Sequence, residues 1–514
     1  MRLTTIGHAG LWIEAEGATI LCDPWFTPAY LGSWFPFPRN DGLDRDALRR
    51  PDFLYVSHLH RDHFDPGFLS TVEKSTTVLL PEYGLPLLED ALRALGFRNF
   101  LPMPSGVTTP LGAAGTTASI VALTAPTDGP IGDSALLVAD RSARICNLND
   151  ARPTDLGPFL AWGRLDALFL QTSGAIWYPM VYDFPPAKMR TLGERKREAG
   201  MARALRLVEL LDPALTVPFA GPPAFLDEEL FAFNDIARDP ANTFPDQTAF
   251  LEVLAAARGP EAGALMVPGS TITLDGASPE LSHSLGGDEL DAIFAEKEAY
   301  LRRYQADWAD WLERERSSWA APGVDVVAGI VEWFTPLMQR APLLSAEIGG
   351  TVLLAFGPDE VVLDFRSQLA RPAAGEDFDH RFAFSRAIGE HLVSEHVEDW
   401  VNDAFLSCRF RASRRVPHND AVFTFFKCLS PERIDFAEAW LAELEANEEA
   451  IEIGGWRVQR RCPHGRADLS RFGVVAGDTL TCHLHGYCYD LATGACTTNP
   501  RLSIRAERLP PASP

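Results

Sequence analysis

No stretch of this chain approaches the run of about 20 apolar residues that a membrane-spanning helix requires. The N-terminus, MRLTTIGHAGLWIE, reads as an alternating strand and not as a signal peptide. A soluble, cytoplasmic protein with no membrane partner is the expectation. Basic residues are scarce too: 46 Lys and Arg face 70 Asp and Glu, a formal charge of -24. That argues against non-specific nucleic-acid binding, because phosphate contacts need clustered cations. Cysteines number only eight among 514 residues, and Cys22, Cys146, Cys408 and Cys428 read as ordinary small buried side chains. Histidine is missing altogether between His63 and His283, which restricts how a metal site in the first half can be built.

What is present near the C-terminus is more specific. Cys462 and His464 are followed, after a seventeen-residue gap, by Cys482 and His485, within CPHGRADLSRFGVVAGDTLTCHLHGYCYDLATG. Two Cys and two His would suit tetrahedral zinc. Zinc fingers, however, usually pair Cys with Cys and His with His, whereas each short pair here mixes the two and stands just ahead of a glycine, Gly465 or Gly486, that allows a tight loop. The pattern resembles the Rieske family, as do Gly486-Tyr487 and the Tyr489-Asp490-Leu491…Thr493-Gly494 hairpin. The resemblance implies a 2Fe-2S cluster with two thiolates on one iron and two imidazoles on the other. His483 reads as exposed loop. Cys488 and Cys496 remain after the two ligands, but Ala467 lies where high-potential members carry a bridging cysteine, and Tyr487 where they place a serine hydroxyl. The resemblance therefore implies the lower-potential type that feeds oxygenases. Residues 451–514 hold eight Arg against five Asp or Glu, a basic module able to dock electrostatically on an acidic body.

The length suits about three domains. Residues 1–270 alternate short apolar runs (RLTTI, GLWIEA, ATILCDPWF, DFLYVSHLHRDHFDP, TVLLP, SALLVAD, RICNLND) with helical segments, an α/β pattern. At the end of the strand Phe53 to Ser57 stands His58-x-His60-x-Asp62-His63. Three imidazoles and a carboxylate within six residues suit two metals, His58 and His60 on one ion and Asp62 and His63 on its neighbour, about 3.5 to 4 Å away in typical two-metal sites. The motif resembles the metallo-β-lactamase superfamily, which implies an αββα sandwich. In that comparison Asp23 occupies the acidic position beneath the metal loop, Asp150 of Asn149-Asp150 the metal-bridging position, and His8 a position near the site, as in the lactonase branch. The family's two downstream histidines are absent. Thr124 to Pro130 takes the place of the first, so Asp128 is the candidate ligand with Asp133 as second choice, and Val217 to Pro222 replaces the last. Exchanging imidazole for carboxylate moves such a site from zinc toward iron, where open positions can bind dioxygen. The flavodiiron reductases also hold iron, but they carry Glu at the position of His60.

Residues 271–450 read as a mixed helical and α+β domain. Helices are expected over Glu289 to Ser318, Phe384 to Phe405 and Asp435 to Ile451, and paired strands over Thr351 to Phe356 and Val361 to Phe365. His391 and His396 read as surface or structural. A Rieske domain closes the chain at 451–514. A metallo-β-lactamase fold joined to a Rieske centre resembles the CMP-N-acetylneuraminate hydroxylase family, with further likeness at Ser173 to Pro179, Pro218 to Pro222 and Trp400 to Phe410. In that family the Rieske module leads, whereas here it trails. The likeness implies a Rieske-coupled non-haem iron oxygenase, with one or two irons, that hydroxylates a carbon or nitrogen of a polar small molecule using dioxygen. No flavin or nicotinamide motif appears, so an external ferredoxin or flavin reductase is expected as donor. Trp177, Tyr178 and Tyr182 are candidates to line the substrate pocket, together with His8. The alternatives are a zinc or manganese hydrolase of lactonase type whose Rieske module senses redox state, and an oxygen or nitric oxide reductase. A homo-oligomer is compatible with either.

Overall fold

Short apolar runs broken by turn residues build two facing sheets. They are seen in a computed structural model that describes residues 1–124, 129–174, 176–276, 278–444 and 449–509. The first sheet has eight strands, in the order Glu280–Ser282, Thr271–Thr273, Arg2–Gly7, Gly10–Ala15, Ala18–Cys22, Phe53–Tyr55, Thr77–Pro81, Phe100–Met103. The second has six: Leu215–Phe219, Ala167–Gln171, Arg144–Asn147, Asp133–Ala139, Thr117–Leu123, Thr109–Pro110. Strands Ala167–Gln171 and Leu215–Phe219 pair in parallel and are buried at every position, which is why they read as continuous apolar runs without alternation. Leu11, Ile13 and Ile20 of the first sheet meet Ile120, Leu136, Val138 and Phe169 of the second in one core. Helix Leu87–Ala94 covers the outside of the first sheet through Leu88 and Leu92. Helices Pro186–Leu211 and Gln247–Arg258 cover the second through Leu207, Val208, Phe250 and Leu254. The result is an αββα sandwich.

The sandwich runs past residue 270. Thr271–Thr273 pairs antiparallel with the N-terminal strand, Leu3 opposite Ile272, and Glu280–Ser282 pairs in turn with Thr271–Thr273. The helices that follow, Gly287–Ala295 and Lys297–Ser318, also belong to this unit, since Ile293, Leu301, Tyr304 and Leu312 pack on Phe35, Phe37, Ala224 and Leu226. They form where one long helix was expected, with a break at Glu296 (φ -113°).

The middle domain proper is a five-stranded sheet, in the order Leu369–Pro372, Asp359–Asp364, Thr351–Phe356, His380–Phe384, Phe410–Arg414. It packs with helices Val326–Arg340, Pro342–Ile348, Arg386–Ser394, Asp420–Lys427 and Pro431–Leu444. The expected helix over 384–405 is corrected. Phe384 closes a strand, the Ser385 side chain accepts from the Ile388 amide and starts a helix there, and that helix stops at Ser394. The last helix begins at Pro431, four residues before the expected Asp435, and Ala450–Ile453 is already the first strand of the next domain.

That last domain holds two three-stranded antiparallel sheets, Ala450–Ile453 with Trp456–Gln459 and Ala506–Arg508, and Gly473–Ala476 with Thr479–Cys482 and Tyr487–Asp490. Its core is continuous with the outer face of the second sheet of the sandwich, Leu480 and Leu484 sharing one cluster with Leu207 and Leu211. Arg206 donates to the Arg471 carbonyl at 3.0 Å and Arg501 to the Glu347 carbonyl at 2.6 Å. Apolar packing and arginine-to-carbonyl bonds thus hold the domain in place. No helix among the described residues is long and apolar enough to cross a membrane.

Candidate functional site

Beyond strand Phe53–Tyr55 the chain folds back on itself, the His60 carbonyl accepting from the amides of His63 and Phe64. Asp23, in left-handed conformation (φ 39°) at the end of the neighbouring strand, anchors this loop. Its carboxylate accepts from the Ser57 amide and the Ser57 hydroxyl, both at 2.7 Å, and lies 3.0 Å from His63 Nδ1. His63 Nε2 is left buried and without a hydrogen-bond partner. His58 Nδ1 sits 2.9 Å from Ser57 Oγ and 3.3 Å from Asp133 Oδ1, so its other nitrogen is the one free to bind. Across the site, Asn149 (φ 44°) donates to the Ser134 carbonyl at 3.0 Å and accepts from the Asp150 amide at 2.7 Å. This points Asp150 Oδ2 to within 3.7 Å of His63 Nε2 and leaves Oδ1 buried and unpartnered.

Two sets of donors result. Ligand atoms of His58, His60 and Asp150 lie within 4.8 Å of one another, as do those of His8, Asp62 and His63. The sets adjoin, with the His58 ring 4.4 Å from His60 and 4.3 Å from His63. His8 follows the first strand (φ 53°), packs edge-on against Trp25 and places Nε2 2.8 Å from Asp62 Oδ2, while its Nδ1 is buried and unpartnered. The Tyr30 hydroxyl donates to the other Asp62 oxygen. Burial opposes a charge on His63, yet Asp150, Asp62 and Asp23 outweigh it and raise the imidazole to about 10. Burial likewise opposes ionisation of Asp62, but His63 and His8 hold it far below the usual carboxylate range. His60 is lowered well below an ordinary histidine by burial and by His58. A centre in which carboxylates keep a proton on one imidazole is one where a cation can replace that proton. The orphaned His8 Nδ1, His63 Nε2 and Asp150 Oδ1 fit such cations, since buried polar atoms without partners are rare unless a ligand satisfies them.

The second site lies in the C-terminal domain. Gly465 (φ 61°), Arg466 (φ 60°) and Gly486 (φ 75°) turn the two loops that carry Cys462, His464, Cys482 and His485. The cysteines face each other, the imidazoles are 4.7 Å apart, and the Nδ1 atoms of both histidines are buried with no partner, as the donor set of a 2Fe-2S cluster requires. Burial, then His464, Arg152 and Arg203, hold His485 far below its ordinary value, in the neutral form that binds metal. Asp420 Oδ2 lies 3.4 Å from His464 Nε2. The Tyr489 hydroxyl is 3.2 Å from Cys462 Sγ.

Other expected residues fall elsewhere. Asp128 lies outside the described residues. Asp133 backs the Nδ1 side of His58 and so orients that ring instead of joining either set. Trp177 is 8% exposed and packed at 5.3 Å against Phe405 and Phe423, and Tyr182 is 3% exposed and stacked on Phe184. Both are buried in the core shared with the middle domain, Trp177 against Phe side chains more than 200 residues away in sequence. Tyr178 alone of the three stays half-buried, under Lys196 and Arg414. His8, expected at the substrate, stands with the metal donors. Sequence reading missed Tyr30, whose positive φ of 54° has no motif, and Tyr489, which was read only as part of a hairpin.

Comparison with known proteins agrees with this layout. Residues 2–99 match a beta-lactamase superfamily domain, 326–443 an Rv3818-like, SCP2-like domain, and 454–507 the Rieske [2Fe-2S] domain. Fold and sites define a metallo-β-lactamase-fold protein carrying a Rieske domain. A Mycobacterium tuberculosis (strain ATCC 25618 / H37Rv) protein, provisionally named a Rieske 2Fe-2S iron-sulfur protein, is 45% identical over 516 residues, 99% of this chain and 100% of the relative. A similarly named protein of Mycolicibacterium smegmatis is 44% identical over 521 residues, with 99% and 100% covered. The chain belongs to the family of Rieske 2Fe-2S iron-sulfur proteins that these relatives represent. A local match of 35% over 77 residues, 14% of this chain and 13% of the other, joins it to cytidine monophosphate-N-acetylneuraminic acid hydroxylase of Danio rerio.

Proposed function

We propose that this protein is a Rieske-coupled non-haem di-iron oxygenase that hydroxylates a carbon or nitrogen of a polar small molecule, taking electrons from an external ferredoxin or flavin reductase. The observation that carries the reading is the composition of the two donor sets. Each has two imidazoles and one carboxylate, the ligand balance associated with oxygen-activating iron, and both share a chain with an electron carrier. The named hydroxylase among the local matches adds support.

His58, His60 and Asp150 would hold one metal, and His8, Asp62 and His63 the other. Iron in these sets supplies dioxygen activation, and the cluster held by Cys462, His464, Cys482 and His485 supplies electrons singly. Asp23 fixes His63 by its Nδ1, Asp133 and Ser57 do the same for His58, and Tyr30 holds Asp62 in one rotamer. Trp25 and Trp34 border His8 and keep water from that side. Metal analysis of protein produced in iron-rich medium tests the assignment. Iron beyond that of the cluster, lost in His58→Ala and His63→Ala, is expected. Zinc in the first-half site, with full ester- or lactone-cleaving activity in the absence of dioxygen, would instead establish the hydrolase.

A further inference from the structure

In a chain with 70 acidic residues against 46 basic ones, cations nevertheless converge on one cavity. The cavity has a volume of about 80 Å³, and its walls include Arg152, Thr172, Lys196, Arg197, Arg203 and Thr243. Arg197 is committed, donating to the carbonyls of Pro240 and Asn242. Arg152 spends one nitrogen on Gln171 Oε1 at 2.9 Å. Lys196 and Arg203 have no hydrogen-bonded or ion-paired partner among the described residues. Arg203 is buried, 8% exposed, whereas Lys196 lines the cavity with a solvent-exposed side chain. The carboxylate that acts on Lys196 from nearby, Asp420, is already engaged by His418 and His464.

A buried cation such as Arg203 is costly without a counter-charge, and it persists where a ligand supplies the missing anion. We propose that this cavity binds an oxyanion, a phosphate or carboxylate group carried by the substrate, through Arg152, Lys196 and Arg203. Guanidinium forks match either oxyanion, and the ammonium adds a point charge. Burial and the neighbouring Arg152 push Arg203 well below its ordinary value, which is the field a bound anion would relieve.

Placement ties the cavity to both centres. Arg152 is two residues from Asp150. The wall at Thr172 and Gly174 is continuous with Ser173, whose hydroxyl lies beside Gly221 on the way to His8. On the other side Ala199 packs against Gly486, next to His485, whose protonation Arg152 and Arg203 already influence. Calling the anion part of the substrate rests on the oxygenase reading, but the binding itself does not.

The test is titration of inorganic phosphate and, separately, succinate into full-length holoprotein, followed by calorimetry. Saturable binding of one or both is expected, and which of them binds identifies the oxyanion. Lys196→Gln and Arg152→Gln should weaken it about tenfold or more, and Lys196→Arg should recover it. Electron paramagnetic resonance of the reduced cluster verifies that each variant is folded and loaded, and in the wild type its signal shifts when the anion is added. Failure of both anions to saturate the wild type, or binding that both glutamine variants leave intact, overturns the proposal. Neither arm needs turnover or a metal in the first-half site, so the result is independent of whether that site proves to be an oxygenase.

Discussion

Tyr489 shows how one hydroxyl changes the reading of the cluster. By resemblance, Ala467 and Tyr487 argue for a low-potential centre, since Ala467 cannot form the bridging disulfide and Tyr487 replaces the serine of high-potential Rieske proteins. The fold supplies a different donor, with Tyr489 OH 3.2 Å from Cys462 Sγ. A hydrogen bond to a ligand sulfur stabilises the reduced, more negative cluster and raises its potential. Tyr489→Phe removes that bond and is expected to lower the midpoint by roughly 40 mV, the equivalent of about 1 kcal/mol in a one-electron couple. Redox titration of a fully loaded variant checks it, and an unchanged midpoint would mean that the contact does not persist around a cluster. The metal-centre residues differ in how visible they are. His58, His60, Asp62 and His63 can be read because one short loop brings them together, as with the Rieske quartet. His8 is brought into the second donor set only by pairing of the first strand with its neighbour, and Tyr30 by a loop that sequence does not shape.

Among the elements, helix Pro186–Leu211 was the least legible in purpose. Lys196 and Arg203 on it belong to no motif, and nothing in local sequence says that Arg152, from a different loop, lines a cavity with them. Gly193 records how closely the helix is seated: a methyl there would lie 2.3 Å from the Pro240 carbonyl. Strand boundaries were legible where apolar runs were bounded by turn residues, and failed where a cap decided them, as at Ser385. Strand His380–Phe384 also carries a pH dependence. His380 is 3% exposed, and burial, then His418 and Arg414, lower it to about 4. In the unfolded chain it titrates near 6.5. The folded form binds its proton less readily, so the associated stability is fully present above about pH 6.5 and is lost as pH falls through 4, a total of about 3 kcal/mol. Denaturant unfolding from pH 7.5 to 4 should show this loss, and His380→Leu should flatten that part of the profile. An equal acid loss in the variant would assign the effect to other groups.

At the scale of the molecule, three units share interfaces that no composition reveals. The Rieske domain continues the apolar core of the sandwich's outer layer, and Trp177 and Tyr182 join the sandwich to the middle domain, where they looked like substrate contacts. The reversed domain order still leaves Gly486, next to His485, packed against Ala199 of helix Pro186–Leu211. The proposed function requires electrons stored in the cluster to be used at the His58 to His63 centre of the same protein. Stopped-flow mixing of anaerobically reduced protein with dioxygen tests it, following reoxidation of the cluster in wild type and in His58→Ala and His63→Ala variants whose Rieske signal is intact. Fast, substrate-stimulated reoxidation in the wild type and its loss in both variants is the predicted result. Reoxidation at the same rate in all three would contradict it.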